Sequence, residues 1–127
     1  MIEMTLGEIV QAAPTISSIM EEKTKARTAF LIARIAKKVK EECDLFDEAR
    51  EKLIYKYGEK DSSGELVHDY KGNYHIQKDD ITVFNQEMQQ LLATKIELEI
   101  DYITLEDLED LSISPKEILA IEKMIKK

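Results

Sequence analysis

Apolar positions at helical spacing dominate the first half of the chain. Leu6, Ile9, Val10, Ala13, Ile16, Ile19 and Met20 recur three and four residues apart and so share one helix face. Just upstream, Thr5 and Glu8 have the residue types and spacing of a capping box, in which a hydroxyl and a carboxylate satisfy each other's backbone N–H groups. A first helix is therefore predicted over roughly 6–22, kinked or restarted at Pro14, which has no N–H and crowds the preceding turn. Residues 25–57 contain no Gly or Pro and are rich in Ala, Lys, Glu, Arg and Leu, which predicts one long helix ended by Gly58 as a glycine cap. Its apolar residues Leu31, Ile32, Ile35, Ala36, Val39, Cys43, Phe46, Ala49, Leu53, Ile54 and Tyr57 occupy an arc of about 140° at 100° per residue, the broad stripe of a core-facing helix.

Beyond Gly58 the pattern changes. Residues 59–64 are polar and read as a loop. Residues 65–77 read as a β-hairpin, with Asp69 opening a type I turn, a bulge at Gly72, and Leu66, Tyr74 and Ile76 facing inward; Leu66 is expected opposite Ile76 and His68 opposite Tyr74. Asp79 or Asp80 is placed to cap a helix over 81–93 that turns Phe84, Met88, Leu91 and Leu92 inward. Ile96, Leu98, Ile100 and Tyr102 alternate with Glu97, Glu99 and Asp101, which predicts a half-buried strand with an acidic outer face, joined to the hairpin in a small antiparallel sheet. A short helical turn over 104–111 follows. Ser114, Pro115 and Glu117 form a second capping box that opens a last helix to about 125. The expected fold is α+β and mainly helical: a kinked first helix on one long helix, a hairpin plus one strand, and two C-terminal helices in one domain over 1–127, with no internal repeat.

Composition narrows the class. The chain has 127 residues, 43% hydrophobic, with a formal net charge of −8, which suits one globular domain. No apolar run approaches the ~20 residues of a membrane span, and the N-terminal residues lack the basic start of a secretory signal, so no membrane partner is expected. The lone Cys43 cannot pair internally and fits a reducing compartment. The charge is segregated: residues 1–22 carry −4, residues 23–40 carry +7 and residues 41–127 carry −11. Such segregation invites charge-matched contact.

The chemistry of catalysis is hard to assemble from these residues. No glycine-rich phosphate loop or nucleophile elbow occurs, and the only histidines, His68 and His75, lie on the hairpin without an adjacent third ligand. No cofactor or metal is expected. Glu97, Glu99 and Asp101 share one outward face, extended by Glu106, Asp107, Glu109 and Asp110, and such a surface could imitate a nucleic-acid backbone. On the long helix, Arg27, Phe30, Arg34, Lys37 and Lys38 lie opposite the apolar stripe, a composition that phosphate-binding surfaces use. Further along the same face the sign reverses to Glu41, Asp44, Glu48 and Glu51. Acids late and bases early oppose the helix dipole, so the arrangement points to something outside the helix.

Four stretches, DEAREKLIYKYGEKD at 47–61, GNYHI at 72–76, FNQEMQQLL at 84–92 and ISPKEILAIEKMI at 113–125, resemble a family of small uncharacterised proteins encoded by tailed phages and prophages of Gram-positive bacteria. The resemblance covers roughly 5–125 and rests on helix and turn signatures. It implies a phage origin and the cytoplasm of the bacterial host as workplace, and it brings no activity, cofactor or site residue with it.

Size adds a second argument. A helix over 25–57 is about 50 Å long, whereas a compact chain of this length is about 36 Å across. The overhanging apolar stripe needs cover, and a second copy is the economical source. An antiparallel pair about a two-fold axis near Val39 would match the charges: Arg27 with Glu51, Arg34 with Asp44, Lys37 with Glu41, and Phe30 with Glu48 are pairs whose residue numbers add to 78. The expected function is that of a non-enzymatic phage protein that binds or assembles proteins, as a homo-oligomer or with a phage or host protein. The alternative is an inhibitor of a bacterial anti-phage defence, acting through the acidic 97–110 surface or by sequestering a nucleotide signal at the basic face of 27–38.

Overall fold

In the computed structural model, residues 1–126 are described, so the last residue of the domain expected over 1–127 lies outside the described residues. The chain is α+β and mainly helical. In order it forms β1 (Ile2–Thr5), α1 (Leu6–Ile19), α2 (Ala26–Tyr57), α3 (Ile81–Leu92), β2 (Lys95–Leu98), α4 (Leu105–Leu108) and α5 (Pro115–Ala120).

Helix α1 begins where its capping box places it. The Thr5 hydroxyl accepts the Glu8 N–H at 3.2 Å and the Glu8 carboxylate accepts the Thr5 N–H at 2.9 Å. It runs through Pro14 as one helix instead of restarting. Pro14 is exposed and Val10, whose carbonyl it leaves unserved, is half-exposed, so solvent is close to the gap. Leu6, Ile9, Ala12, Thr15, Ile16 and Ile19 are buried, and of these Ile9, Ala12, Ile16 and Ile19 share one core with Ile32, Ile35 and Val39 of α2 and with the C-terminal segment. The same core takes Ile2 and Met4 of β1, Leu98 and Ile100, and Ile103, Leu108, Leu111, Ile121 and Met124.

The sheet differs from expectation. The strand pairs not with the hairpin but with the extreme N-terminus: β1 and β2 run antiparallel with Ile2 opposite Leu98 and Thr5 opposite Lys95. Burial decides this, because β1 alternates Ile2 and Met4 inward and shares the same core as Leu98. The pairing also draws the start of α1 close to the end of α3: the Leu6 N–H donates to the Thr94 carbonyl at 2.8 Å, and a Cβ at Gly7 would stand 3.2 Å from the Leu92 carbonyl oxygen. The ladder ends at Leu98 because its partner begins at Ile2, so the strand expected over 96–102 is half that length.

Residues 57–80 form a cap on the far end of α2 that is more than a hairpin. The pairing of His68 with Tyr74 is present, but Leu66 pairs with Lys60, and Ile76 pairs with Gly58. Three extended segments therefore each bond both others. Glu59 N–H donates to the His75 carbonyl at 2.7 Å, His75 N–H to the Val67 carbonyl at 3.1 Å, and Val67 N–H to the Glu59 carbonyl at 2.8 Å, which closes a ring. The three residues stand eight apart in sequence. The turns repeat with them: Gly64 N–H to the Asp61 carbonyl, Gly72 N–H to the Asp69 carbonyl, and Asp80 N–H to the Gln77 carbonyl. Asp61 and Asp69 each accept two backbone N–H groups on one side-chain oxygen, and Gly64 and Gly72 have positive φ. An internal eight-residue repeat with pseudo-threefold closure thus exists where none was expected. Leu66 and Ile76 are half-buried as expected, but Tyr74 is 48% exposed.

Gly58 ends α2 for a different reason from the one its sequence position suggested. Its φ of −69° is open to any residue, so no left-handed cap forms. A Cβ there would instead run into the Ile54 carbonyl oxygen and lie 2.6 Å from Leu66 Cδ2. Gly58→Ala is therefore expected to destabilise the fold by about 1–3 kcal/mol through overpacking, read as a lower urea midpoint by circular dichroism.

Candidate functional site

The cations of α2 and the acids of the 101–110 segment meet within the chain. They line a cleft of about 490 Å³. Helix α2 supplies Arg27, Phe30 and Arg34 on one wall, with Lys25 at the entrance, and the segment after β2 supplies Asp101, Tyr102, Glu106, Asp107 and Asp110 on the other. Two links hold the walls together. Lys25 Nζ is 3.7 Å from Asp110 Oδ2, on exposed side chains. The second link is better protected: the hydroxyl of Thr28, a residue only 5% exposed, donates to Asp107 Oδ1 at 3.2 Å.

Asp107 is a structural residue. Its carboxylate accepts the Thr104 N–H at 3.0 Å and the Thr104 hydroxyl at 2.9 Å, while the Asp107 N–H donates back to that hydroxyl at 3.1 Å. This is a third capping box, opening α4. The backbone hydrogen bond from Thr104 lowers the Asp107 pKa below the ordinary aspartate value, helped by the Thr28 hydroxyl and the Arg27 charge. Asp107, a candidate interaction residue from the sequence, thus forms a cap that also fastens the acidic segment to α2.

The remaining candidate residues divide. Arg27 and Arg34 have no ion-pair partner within 4.0 Å among the described residues, and neither have Asp101 and Glu106. Phe30 is 67% exposed at the cleft rim. Tyr102, expected inward, is 43% exposed and faces the cleft. The pleat breaks there because Ile103 takes the buried position, where its N–H donates to the Met124 carbonyl and its carbonyl accepts from Lys126. Glu97 and Glu99 alternate outward as expected, but they and Glu109 lie outside the cleft. Glu97 stands across from Glu3, and Lys95 softens that like-charge pair at 3.7 Å from Glu3. Lys37 is exposed, Lys38 pairs with Glu41 at 3.7 Å and Lys40 with Asp44 at 3.0 Å. Glu48 and Glu51 are exposed and border a shallow depression with Lys52, Tyr55, Lys56 and Lys60. Lys25, Thr28 and Tyr102 were not among the sequence candidates. Only Thr28, a hydroxyl about 160° round the helix from Phe30 and near the middle of the apolar stripe, carried a signal for its role.

Among the described residues no group of three or more His, Cys, Asp or Glu could hold a metal ion. His68 stacks edge-on with Tyr74 at 6.2 Å instead of meeting His75. Burial pushes the Cys43 thiol up, assisted by Asp47 and Asp44, which keeps it protonated and weakly nucleophilic. No helix is long and apolar enough to cross a membrane among the described residues. No family model, curated protein or solved structure matches the chain.

Among the described residues three carboxylates have a lowered pKa, Glu8, Asp69 and Asp107, and the first and last report on the proximal core. Glu8 is held down first by its hydrogen bond with Lys123, at 2.7 Å, then by the Thr5 N–H, and Asp107 by Thr104. Their folded pKa values lie below the unfolded ones, so the stability they add is full above about pH 5 and is lost as pH falls through the unfolded and then the folded values. Asp107→Ala is expected to cost about 1 kcal/mol at pH 7, the ordinary value of a cap. Urea midpoints of the variant and the parent should converge toward pH 2–3.

Proposed function

We propose that this chain is a non-enzymatic protein-binding and assembly protein that associates with copies of itself, in a tailed phage and in the cytoplasm of its bacterial host. The observation that carries the reading is an uneven core. Between residues 40 and 97 only Ile54 and Gly58 are buried. Helix α3 buries no residue, and Phe46, Leu53, Tyr57, Phe84 and Met88 stay half-exposed along the arm made by the second half of α2, α3 and the cap. Leu45, Tyr55, Ile81 and Val83 are exposed on the same arm. A surface this apolar on an arm this long is the composition of an interaction surface.

The phage setting rests on the sequence resemblance alone. The alternative, an inhibitor of anti-phage defence, draws less support from the geometry. Asp107 and Asp110 are engaged by Thr28 and Lys25, which reduces the acidic surface a host protein would meet. Arg27 and Arg34 face carboxylates across the cleft, and those repel a phosphate.

Light scattering coupled to size exclusion at micromolar concentration is the test. The expected mass is twice 14.7 kDa or a higher multiple. A monomer of 14.7 kDa at every concentration up to about 0.5 mM, well above the ~1 μM dissociation constant of a weak specific dimer, would remove self-association from the reading.

A further inference from the structure

The cleft between α2 and the 101–110 segment is bipolar, and a bipolar socket selects its ligand. Its basic wall offers Arg27 and Arg34, and its acidic wall offers Asp101 and Glu106, all four without an ion-pair partner within 4.0 Å among the described residues. Phe30 and Tyr102 offer exposed ring surface between them. A purely anionic ligand meets the acidic wall and a purely cationic one meets the basic wall. An occupant must therefore carry both signs together with apolar surface.

We propose that the occupant is the second half of α2 from another copy of this chain, laid antiparallel about a two-fold axis near Val39. This inference rests on the self-association proposed above and adds its site. The second half of α2 presents Asp44, Leu45, Glu48 and Lys52 toward solvent, with Leu45 58% exposed. In the antiparallel register where facing residue numbers add to 78, Glu48 comes level with Phe30, between Arg27 and Arg34. Asp44 comes level with Arg34. Leu45 comes level with Ala33, within one turn of Phe30. Lys52 reaches the entrance of the cleft, beside the acidic wall. Each copy supplies one socket and one insert, as a two-fold contact requires. Burial of Leu45, Phe30 and Tyr102 supplies affinity, and the ion pairs fix register and direction.

Two exposed-face variants test it. Arg34→Glu with Lys37→Glu makes the four central positions 34, 37, 41 and 44 of the outer face of α2 all acidic, and Glu41→Lys with Asp44→Lys makes the same four all basic. Each alone should dissociate at concentrations about tenfold above those at which the parent is dimeric, with unchanged circular dichroism. A one-to-one mixture of the two should recover a dimer, because the faces are then complementary. A second measurement reads the register directly. On a Cys43→Ser background, Phe30→Cys with Glu48→Cys should form a disulfide-linked dimer under oxidation. Within one copy these positions are about 27 Å apart along the helix, beyond any disulfide. An oligomer that ignores the charge swaps and forms no such crosslink overturns the socket and leaves self-association standing. A strictly monomeric parent overturns both.

Discussion

Helix α2 is packed by α1 and the C-terminal segment along its first half and only thinly covered along its second, and this inequality governs the rest of the molecule. Thr28, Ile32, Ile35 and Val39 are all buried, whereas beyond residue 40 only Ile54 is. A 32-residue helix is stable where its apolar face is covered, since propensity alone contributes little. The second half therefore depends on α3 and the cap, which offer half-buried contacts such as the edge-on pair of Tyr57 and Phe84 at 6.4 Å. Binding and stability are linked in such an arm, because whatever covers it also raises its free energy of unfolding.

The charge pattern follows the same division. On the core half, Lys25 at the N-cap of α2 pairs with Asp110 and the Thr28 hydroxyl donates to Asp107, both acids coming from the chain's own C-terminal segment. On the outer half, the acids of α2 have only intrahelical partners such as Lys40 for Asp44, and Glu48 and Glu51 have no ion-pair partner within 4.0 Å among the described residues. The attraction that the sequence segregates is thus partly consumed in folding, and only what remains can act between molecules.

How far the fold was legible depended on how local each signal was. The box of Thr5 with Glu8 and that of Ser114 with Glu117 were readable because both partners are three residues apart and of the expected types. The box of Thr104 escaped because its third residue is Asp107, whose shorter side chain departs from the usual Glu or Gln. Strand β1 is four residues long and its partner lies at 95–98, so no nearby pattern announced it. The eight-residue repeat was visible twice, in Asp61 to Gly64 and Asp69 to Gly72, but its third copy is Gln77 to Asp80, without glycine. For the candidate site, the helical wheel located Arg27, Phe30 and Arg34 on one face. It could not tell that Asp101 and Tyr102 would come to rest beside them, since that depends on where the pleat of β2 ends.

The pairing of β1 with β2 has a consequence for the order of folding. The cap closes within residues 57–80 and α2 forms from local contacts, so both can form early, with short loops to close. The proximal core cannot. Ile2 must wait for Leu98, and Ile9 and Ile16 share their core with Ile121 and Met124. Until residues 98–124 are made and in place, α1 and the first half of α2 hold open an apolar surface that only this later segment can close.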